Sequence, residues 1–236
     1  MIDKLSKKMT RTNLLAGRSS PRRRRAPALD KAERHAVLLR CALRVFARRG
    51  LGAARHAEIA RIARVSVPTV FVYFPTRKAL VNAVLEEVAR FFTEMTDTVH
   101  SKHGPAPELI LEHMRAFADA VDTHPDHTRV LLEWSTALRD EVWPLFLRLQ
   151  EKTIATIART IRRWRMESGS ERDPDAEDDA RVIAATGYVL VQMKVARLPN
   201  ARIERFLHTL VRDTLGEVRA STTNEAHISE FNVAVG

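Results

Sequence analysis

The chain holds 236 residues at a formal net charge of +10, with 45% hydrophobic and 29% charged residues, which leaves room for one large domain or two small ones around a real core. Its 8 glycines are too few for glycine-rich cofactor loops or a turn-rich all-β fold, and its single cysteine, Cys41, excludes an internal disulfide framework and cysteine-cluster zinc sites. That cysteine usage points to a reducing, cytoplasmic setting. No apolar run approaches the ~18 residues of a membrane span, and the N-terminus shows no apolar signal segment.

The charge is unevenly placed. Residues 1–80 hold 20 Lys/Arg against 4 Asp/Glu, a balance of +16, which leaves −6 for the remaining 156. A basic module joined to a mildly acidic body points to a polyanion partner for the first part only. Residues 1–29 lack periodicity and end in the run Arg22-Arg23-Arg24-Arg25. They are expected to form a disordered basic arm, since four adjacent guanidiniums repel unless an anion neutralises them.

Asp30, with Glu33 three residues on, reads as a capping box that opens a helix. Leu38, Cys41, Ala42, Val45 and Phe46 give that helix one apolar face, and Gly50 is its expected stop. A short helix follows, built on Ala57, Ile59, Ala60, Ile62 and Ala63. Residues 68–74 are rich in β-branched and aromatic side chains, which by propensity suits a strand. An isolated strand among helices would have nothing to pair with, so a short helix is expected, with Pro68 in its first turn. Its spacing turns Val70, Phe71 and Phe74 inward and Thr69, Val72 and Tyr73 outward. Two short helices joined by a three-residue turn make a helix-turn-helix, whose second helix enters the major groove of DNA.

Thr76 caps the next helix, whose apolar stripe runs to about His100. Helices are then expected over Pro105–Val121, Asp126–Leu138, about Asp140–Glu167, from Asp173-Pro174 to about Arg197, and over about Ala201–Val218. The chain is therefore expected to be all-α, with about nine helices. Its expected domains are an arm (1–29), a DNA-binding head (30–78), a helical effector-binding and dimerisation body (79–218) and a flexible tail (219–236).

The segment FARRGLGAARHAEIARIARVSVPTVFVYFPTRKALVNAVLEEV, residues 46–88, resembles the DNA-binding module of TetR-family transcription regulators. The resemblance rests on Phe46-Ala47 with Gly50, Ile59-Ala60 with Ala63, Val65-Ser66, Thr69-Val70-Phe71 with Tyr73-Phe74, and Lys78 with Leu80. Together with EWSTALRDEVWPLF, residues 133–146, it is similar to the LuxR/HapR subgroup of quorum-sensing master regulators. The resemblance implies a cytoplasmic homodimer joined through its last two helices. It implies that Ser66, Val67, Pro68, Thr69, Val72 and Tyr73 face the groove or its phosphates, that Arg55 and His56 meet the DNA backbone, and that Lys78 holds a phosphate. Arg22, Arg23, Arg24 and Arg25 would reach the minor groove, whose narrow A·T-rich stretches attract arginine.

The subgroup's motif carries Ala where this chain has Pro68 and Asn where it has Val72. Asn can hydrogen-bond a base edge, whereas Val can only touch a thymine methyl, so a shifted or relaxed operator preference is expected. The resemblance also implies an apolar effector cavity in the body. The candidates are Met114, Phe117, Leu131, Trp134, Phe146, Ile154, Ile157 and Val189, with polar Glu133, Arg139, Gln150 and Thr186. The alternative for each is ordinary core, and for Glu133 with Arg139 a structural ion pair. A TetR-type repressor of a local operon, released by a small apolar effector, is the competing regulatory reading. His124-Pro125-Asp126-His127 lacks the helix-spaced partners of a metal site, and no phosphate loop or nucleophile elbow appears. No catalysis, metal or cofactor is therefore expected, nor any membrane partner.

Overall fold

A computed structural model describes residues 30–137, 141–169 and 175–216. Among these the chain is all-α: α1 (Lys31–Ala53), α2 (His56–Ala63), α3 (Val67–Tyr73), α4 (Arg77–His100), α5 (Ala106–Thr123), α6 (Pro125–Thr136), α7 (Trp143–Ser168), α8 (Ala176–Val195) and α9 (Asn200–Leu215). No described helix is long and apolar enough to cross a membrane. The expected arm, the tail, and the joints at 138–140 and 170–174 lie outside the described residues.

The local signals act as their chemistry dictates. The Asp30 carboxylate accepts from the Glu33 N–H at 2.7 Å, and the Glu33 carboxylate accepts from the Asp30 N–H at 3.0 Å, closing the capping box. Ser66 Oγ accepts from the Thr69 N–H to cap α3, and Thr76 Oγ1 accepts from the Ala79 N–H to cap α4. Gly169 ends α7 in the left-handed conformation. Arg64 (φ 55°, ψ 43°) takes the same conformation at the end of α2, where its N–H turns back to the α2 carbonyls of Ala60 and Arg61. That reversal, together with the Ser66 cap, sets α3 across α2.

Gly50 does not end α1. The helix kinks there (φ 80°, ψ 167°) and continues for three residues. The kink frees the Leu51 N–H, which donates 2.7 Å to Glu133 Oε1 on α6. The exposed carbonyls of Leu51 and Gly52 accept from the Arg77 guanidinium at 2.5 and 2.7 Å. A Cβ at Gly50 would sit 2.7 Å from Glu133 Oε1, so position 50 requires glycine for both its backbone angle and its space.

Two apolar clusters hold the chain. The first gathers Leu38 and Phe46 of α1, Ile59 of α2, Val70 of α3, Phe74 at its end, and Leu80 and Leu85 of α4, and it runs on into Trp134 of α6 and Leu149 of α7. The second packs Ile110 and Met114 of α5, Ile157 and Ile161 of α7, Ile183 and Leu190 of α8, and Leu207 of α9. Phe117 borders both. The α2–α3 unit is therefore seated on a core that continues into α6, with no apolar break after residue 78.

Gly50→Ala is expected to destabilise the fold by about 1–3 kcal/mol through left-handed strain alone, more if Glu133 cannot retreat. Thermal unfolding should show a Tm lowered by at least about 2 °C, while Gly169→Ala, with open space around its Cβ, should cost less.

Candidate nucleic-acid interface and effector cavity

The α3 helix buries Val70, and Phe74 just beyond its end is buried with it. Its opposite side is open: Ser66, Val67 and Pro68 are exposed and Val72 is 72% exposed, while Thr69 and Tyr73 are half-buried. The Thr69 and Ser66 hydroxyls meet at 2.8 Å, so their outward atoms are held by the helix cap. Tyr73 lies beside His35 of α1, ring centroids 6.2 Å apart. Arg55, at the start of α2, and Lys78, in the first turn of α4, are both exposed. Arg22, Arg23, Arg24 and Arg25 lie outside the described residues.

Two expectations need correction. Phe71 does not face inward. It is 44% exposed and stacks flat on His56, with centroids 4.2 Å apart and an interplanar angle of 5°. A seven-residue helix has room for one narrow inward stripe, which Val70 and Phe74 fill. His56, expected to meet DNA, is buried, and its Nε2–H donates 2.9 Å to the Phe74 carbonyl. The ring thus ties the end of α3 to the start of α2, leaving only its outer face to Phe71.

Charge around α3 is left available. Arg49 pairs with Glu58 at 3.2 Å. No described carboxylate pairs with Arg40, Arg44, Arg48, Arg55, Arg64 or Lys78. Arg40, Arg44 and Arg48 repeat at four-residue spacing along the exposed side of α1. The sequence reading did not single them out, although the spacing is visible there. His35 was also missed, because its place beside Tyr73 arises only from the crossing of α1 and α3.

In the body, a cavity of about 490 Å³ opens among α4 to α8. Met114, Phe117, Leu131, Phe146, Gln150 and Ile157 line it as expected. Glu133 and Trp134 do not, because they occupy the other face of α6. Glu133 holds the α1 kink, and Trp134 is buried in the first core with its indole N–H on the Val142 carbonyl at 2.9 Å. Ile154 belongs to the second core. Thr186 donates to the Val182 carbonyl at 2.8 Å, and Val189 lies on the exposed side of α8. Arg139 lies outside the described residues, so its pairing with Glu133 does not enter.

Residues that the sequence reading missed complete the wall: Phe92, Met95, Thr96, His113, Trp143 and Tyr188. Among the described residues no Asp, Glu, Lys or Arg lines the cavity. His113 joins His100 through Nδ1···Nε2 at 2.9 Å, and His100 joins Thr160 through Nδ1···Oγ1 at 3.0 Å. Burial pushes both imidazoles well below the ordinary histidine range; the Arg163 guanidinium lowers His100 further, and His100 lowers His113. Both rings are therefore neutral at physiological pH. His124 and His127 instead pack on Phe91, and His127 reaches Glu87 at 3.7 Å. Among the described residues no three or more His, Cys, Asp or Glu are grouped to hold a metal ion.

Comparison with known proteins fits this geometry. Residues 38–84 match the family model described as bacterial regulatory proteins, tetR family. The chain is 44% identical over 127 residues to the HTH-type transcriptional regulator LuxR of Vibrio harveyi, an alignment that covers 54% of this chain and 60% of that relative. Its fold is similar to a TetR-like transcriptional regulator from Rhodococcus sp. RHA1 (TM-score 0.65, 20% identity, 80% of this chain and 100% of the other). It is similar also to FadR from Bacillus subtilis, solved in complex with stearoyl-CoA (TM-score 0.64, 13% identity, 78% and 100%), and to AibR, solved with isovaleryl coenzyme A and operator DNA (TM-score 0.63, 16% identity, 79% and 100%). The fold of the described residues is thus the all-α TetR-like one, and the helix-turn-helix lies inside the segment that matches the tetR family model.

Glu133→Ala removes the acceptor of a buried N–H and is expected to cost about 1–3 kcal/mol. Glu133→Gln keeps an amide oxygen in place and should recover most of it. Denaturant unfolding of the two variants side by side checks this, and equal losses would mean the carboxylate charge matters more than the acceptor.

Proposed function

We propose that the chain is a homodimeric, sequence-specific DNA-binding transcription regulator of the TetR family. One observation carries this reading: α3 packs Val70, and Phe74 just beyond its end, into the first core, while Ser66, Val67, Pro68 and Val72 stand exposed in a stretch flanked by Arg55, Arg64 and Lys78, which no described carboxylate neutralises. In this reading Arg55, Arg64 and Lys78 contact phosphates and fix the register, and α3 enters the major groove. Thr69 and Val72 then meet base edges, Val72 by packing on a thymine methyl. Tyr73, supported by His35, meets a flanking phosphate, and Arg22 to Arg25 extend along the minor groove.

Dimerisation is assigned to α8 and α9. Their outer side carries exposed Val182 and Val189 with half-buried Phe206 and Leu210, an apolar strip of the kind a subunit interface covers. The identity with LuxR favours a quorum-sensing-type global regulator. The body cavity favours, as the second reading, repression of a local operon relieved by a small apolar effector. Either protein is cytoplasmic and neither needs a catalytic centre.

Selection from random duplexes at about 150 mM salt tests the reading, since bulk charge alone gives steep, unselective binding. A selected consensus is expected, and its absence refutes specific recognition. Val72→Asn should change the base preferred at one position in each half-site. Lys78→Ala should weaken all duplexes alike and reduce the salt slope by about 1.

Val182→Glu, a charge placed in the strip, should shift light scattering from a dimer mass to a monomer mass at micromolar concentration and lower operator affinity with it. A wild-type chain that scatters as a monomer would remove the proposed interface.

A further inference from the structure

Among the described residues the polar lining of the cavity consists of threonine, serine and tyrosine hydroxyls, the Gln150 amide and the His113 imidazole. His113 and Thr96 are the buried ones among these, and the His113 proton can be traced. Thr96 Oγ1 donates to the Phe92 carbonyl at 2.9 Å, so its hydrogen is already used. His113 Nε2 lies 3.5 Å from that oxygen, the longest link in the chain of groups. With both rings neutral, each imidazole carries one proton, and two arrangements are consistent.

In the first, Thr160 donates to His100, His100 donates to His113, and His113 Nε2–H is directed to the Thr96 side of the cavity wall. In the second, Thr160 donates to the Thr156 carbonyl and every imidazole proton moves to the other nitrogen, so that His113 Nε2 bears a lone pair that Thr96 can serve only by turning its hydroxyl off the Phe92 carbonyl. The Thr160–His100 contact, at 3.0 Å, is shorter than the 3.3 Å to the Thr156 carbonyl. The first arrangement keeps both the 2.9 Å Thr96–Phe92 bond and the shorter Thr160 contact, and a buried polar group that loses its partner is costly. The ground state therefore presents an N–H at the cavity with a single, stretched acceptor.

We propose that His113 Nε2 anchors the polar end of an uncharged ligand, a carbonyl or hydroxyl oxygen, whose hydrocarbon body packs on Phe92, Phe117, Phe146 and Ile157. This rests on the effector reading above and names the ligand's chemical class. A carbonyl accepts the N–H directly. A hydroxyl is also accommodated, because reversing the chain turns Nε2 into an acceptor. His100 is the positioning residue, since it holds the His113 ring and its proton. A carboxylate, ammonium or phosphate group is disfavoured at this end of the cavity, since among the described residues no side chain of opposite charge lines it. The acyl-coenzyme A molecules seen with FadR and AibR would have to keep their phosphates outside.

Trp143, which lines the cavity beside Phe146, reports occupancy by its fluorescence. The probes are decan-2-one, decan-1-ol, decanoate and butylbenzene, added to the full chain. The ketone and the alcohol are expected to bind at least about tenfold more tightly than decanoate. In His113→Phe the ratio of ketone to butylbenzene affinity should fall about tenfold, and His113→Gln, which retains an N–H, should restore it. Should His113→Phe not fold, imidazole 15N resonances of the wild-type chain serve instead: those of His113 must move on adding decan-2-one. Equal binding of decanoate and ketone, an unchanged ratio in His113→Phe, or unmoved His113 resonances would overturn the proposal. Duplex selectivity measured on the same samples without probe separates the two readings, because its loss sinks the regulator and its persistence beside a failed probe series sinks only this ligand assignment.

Discussion

The Leu51 N–H to Glu133 hydrogen bond joins the two halves of the molecule. A helix kink always frees backbone groups, and buried ones must find partners. Here the freed donor goes to a carboxylate from α6, and the carbonyls of Leu51 and Gly52, left open because α1 ends at Ala53, go to a guanidinium at the start of α4. Three segments distant in sequence meet at one turn of backbone. Since α1 leads directly into α2, the angle of this kink sets where α2 and α3 stand relative to the body. The 2.7 Å that separates a hypothetical Cβ from Glu133 shows how closely the clamp is drawn.

The opposite faces of α6 face different tasks. Leu131, Leu132, Ser135 and Thr136 line the cavity, while Glu133 and Trp134 hold α1 and the first core. A molecule in the cavity touches the helix that grips the kink, without any intervening element. An effector alters DNA affinity only through a difference in its own affinity for two arrangements of the protein, and α6 is the element on which such a difference bears first. The packing is dense on the side of the clamp, where Trp134 is buried in the first core, so a shift of α6 repacks the clamp instead of being absorbed.

What the sequence revealed divides along a physical line. Capping at Asp30 and Thr76 was legible because a cap is a bond between residues three apart. The helix assignment of 68–74 was legible against its own propensity, because a strand there had no partner. The order and class of the helices followed from apolar spacing, and the cavity wall was half visible through Met114, Phe117 and Ile157. Glu133, Trp134 and Val189 were misplaced for a common reason: helical periodicity tells that a face is apolar or polar but not which of several neighbours it meets. His56 and Phe71 failed differently. Their stacking joins two helices across a turn, so that one residue lost its exposure and the other its burial. His113 carried no signal at all, because its role depends on His100 and Thr160 from two other helices.

The α8 helix carries the cavity on one side and the proposed subunit strip on the other. Ala184 and Tyr188 line the cavity, Gly187 lets the helix approach Phe117 so that a Cβ there would lie 3.3 Å from the ring, and Val182 and Val189 stand outward. Linkage then makes the two equilibria reciprocal: whatever factor an effector applies to the dimer dissociation constant, dimerisation applies to the effector's affinity. Apparent effector affinity would depend on protein concentration, and a scarce regulator and an abundant one would answer the same dose differently.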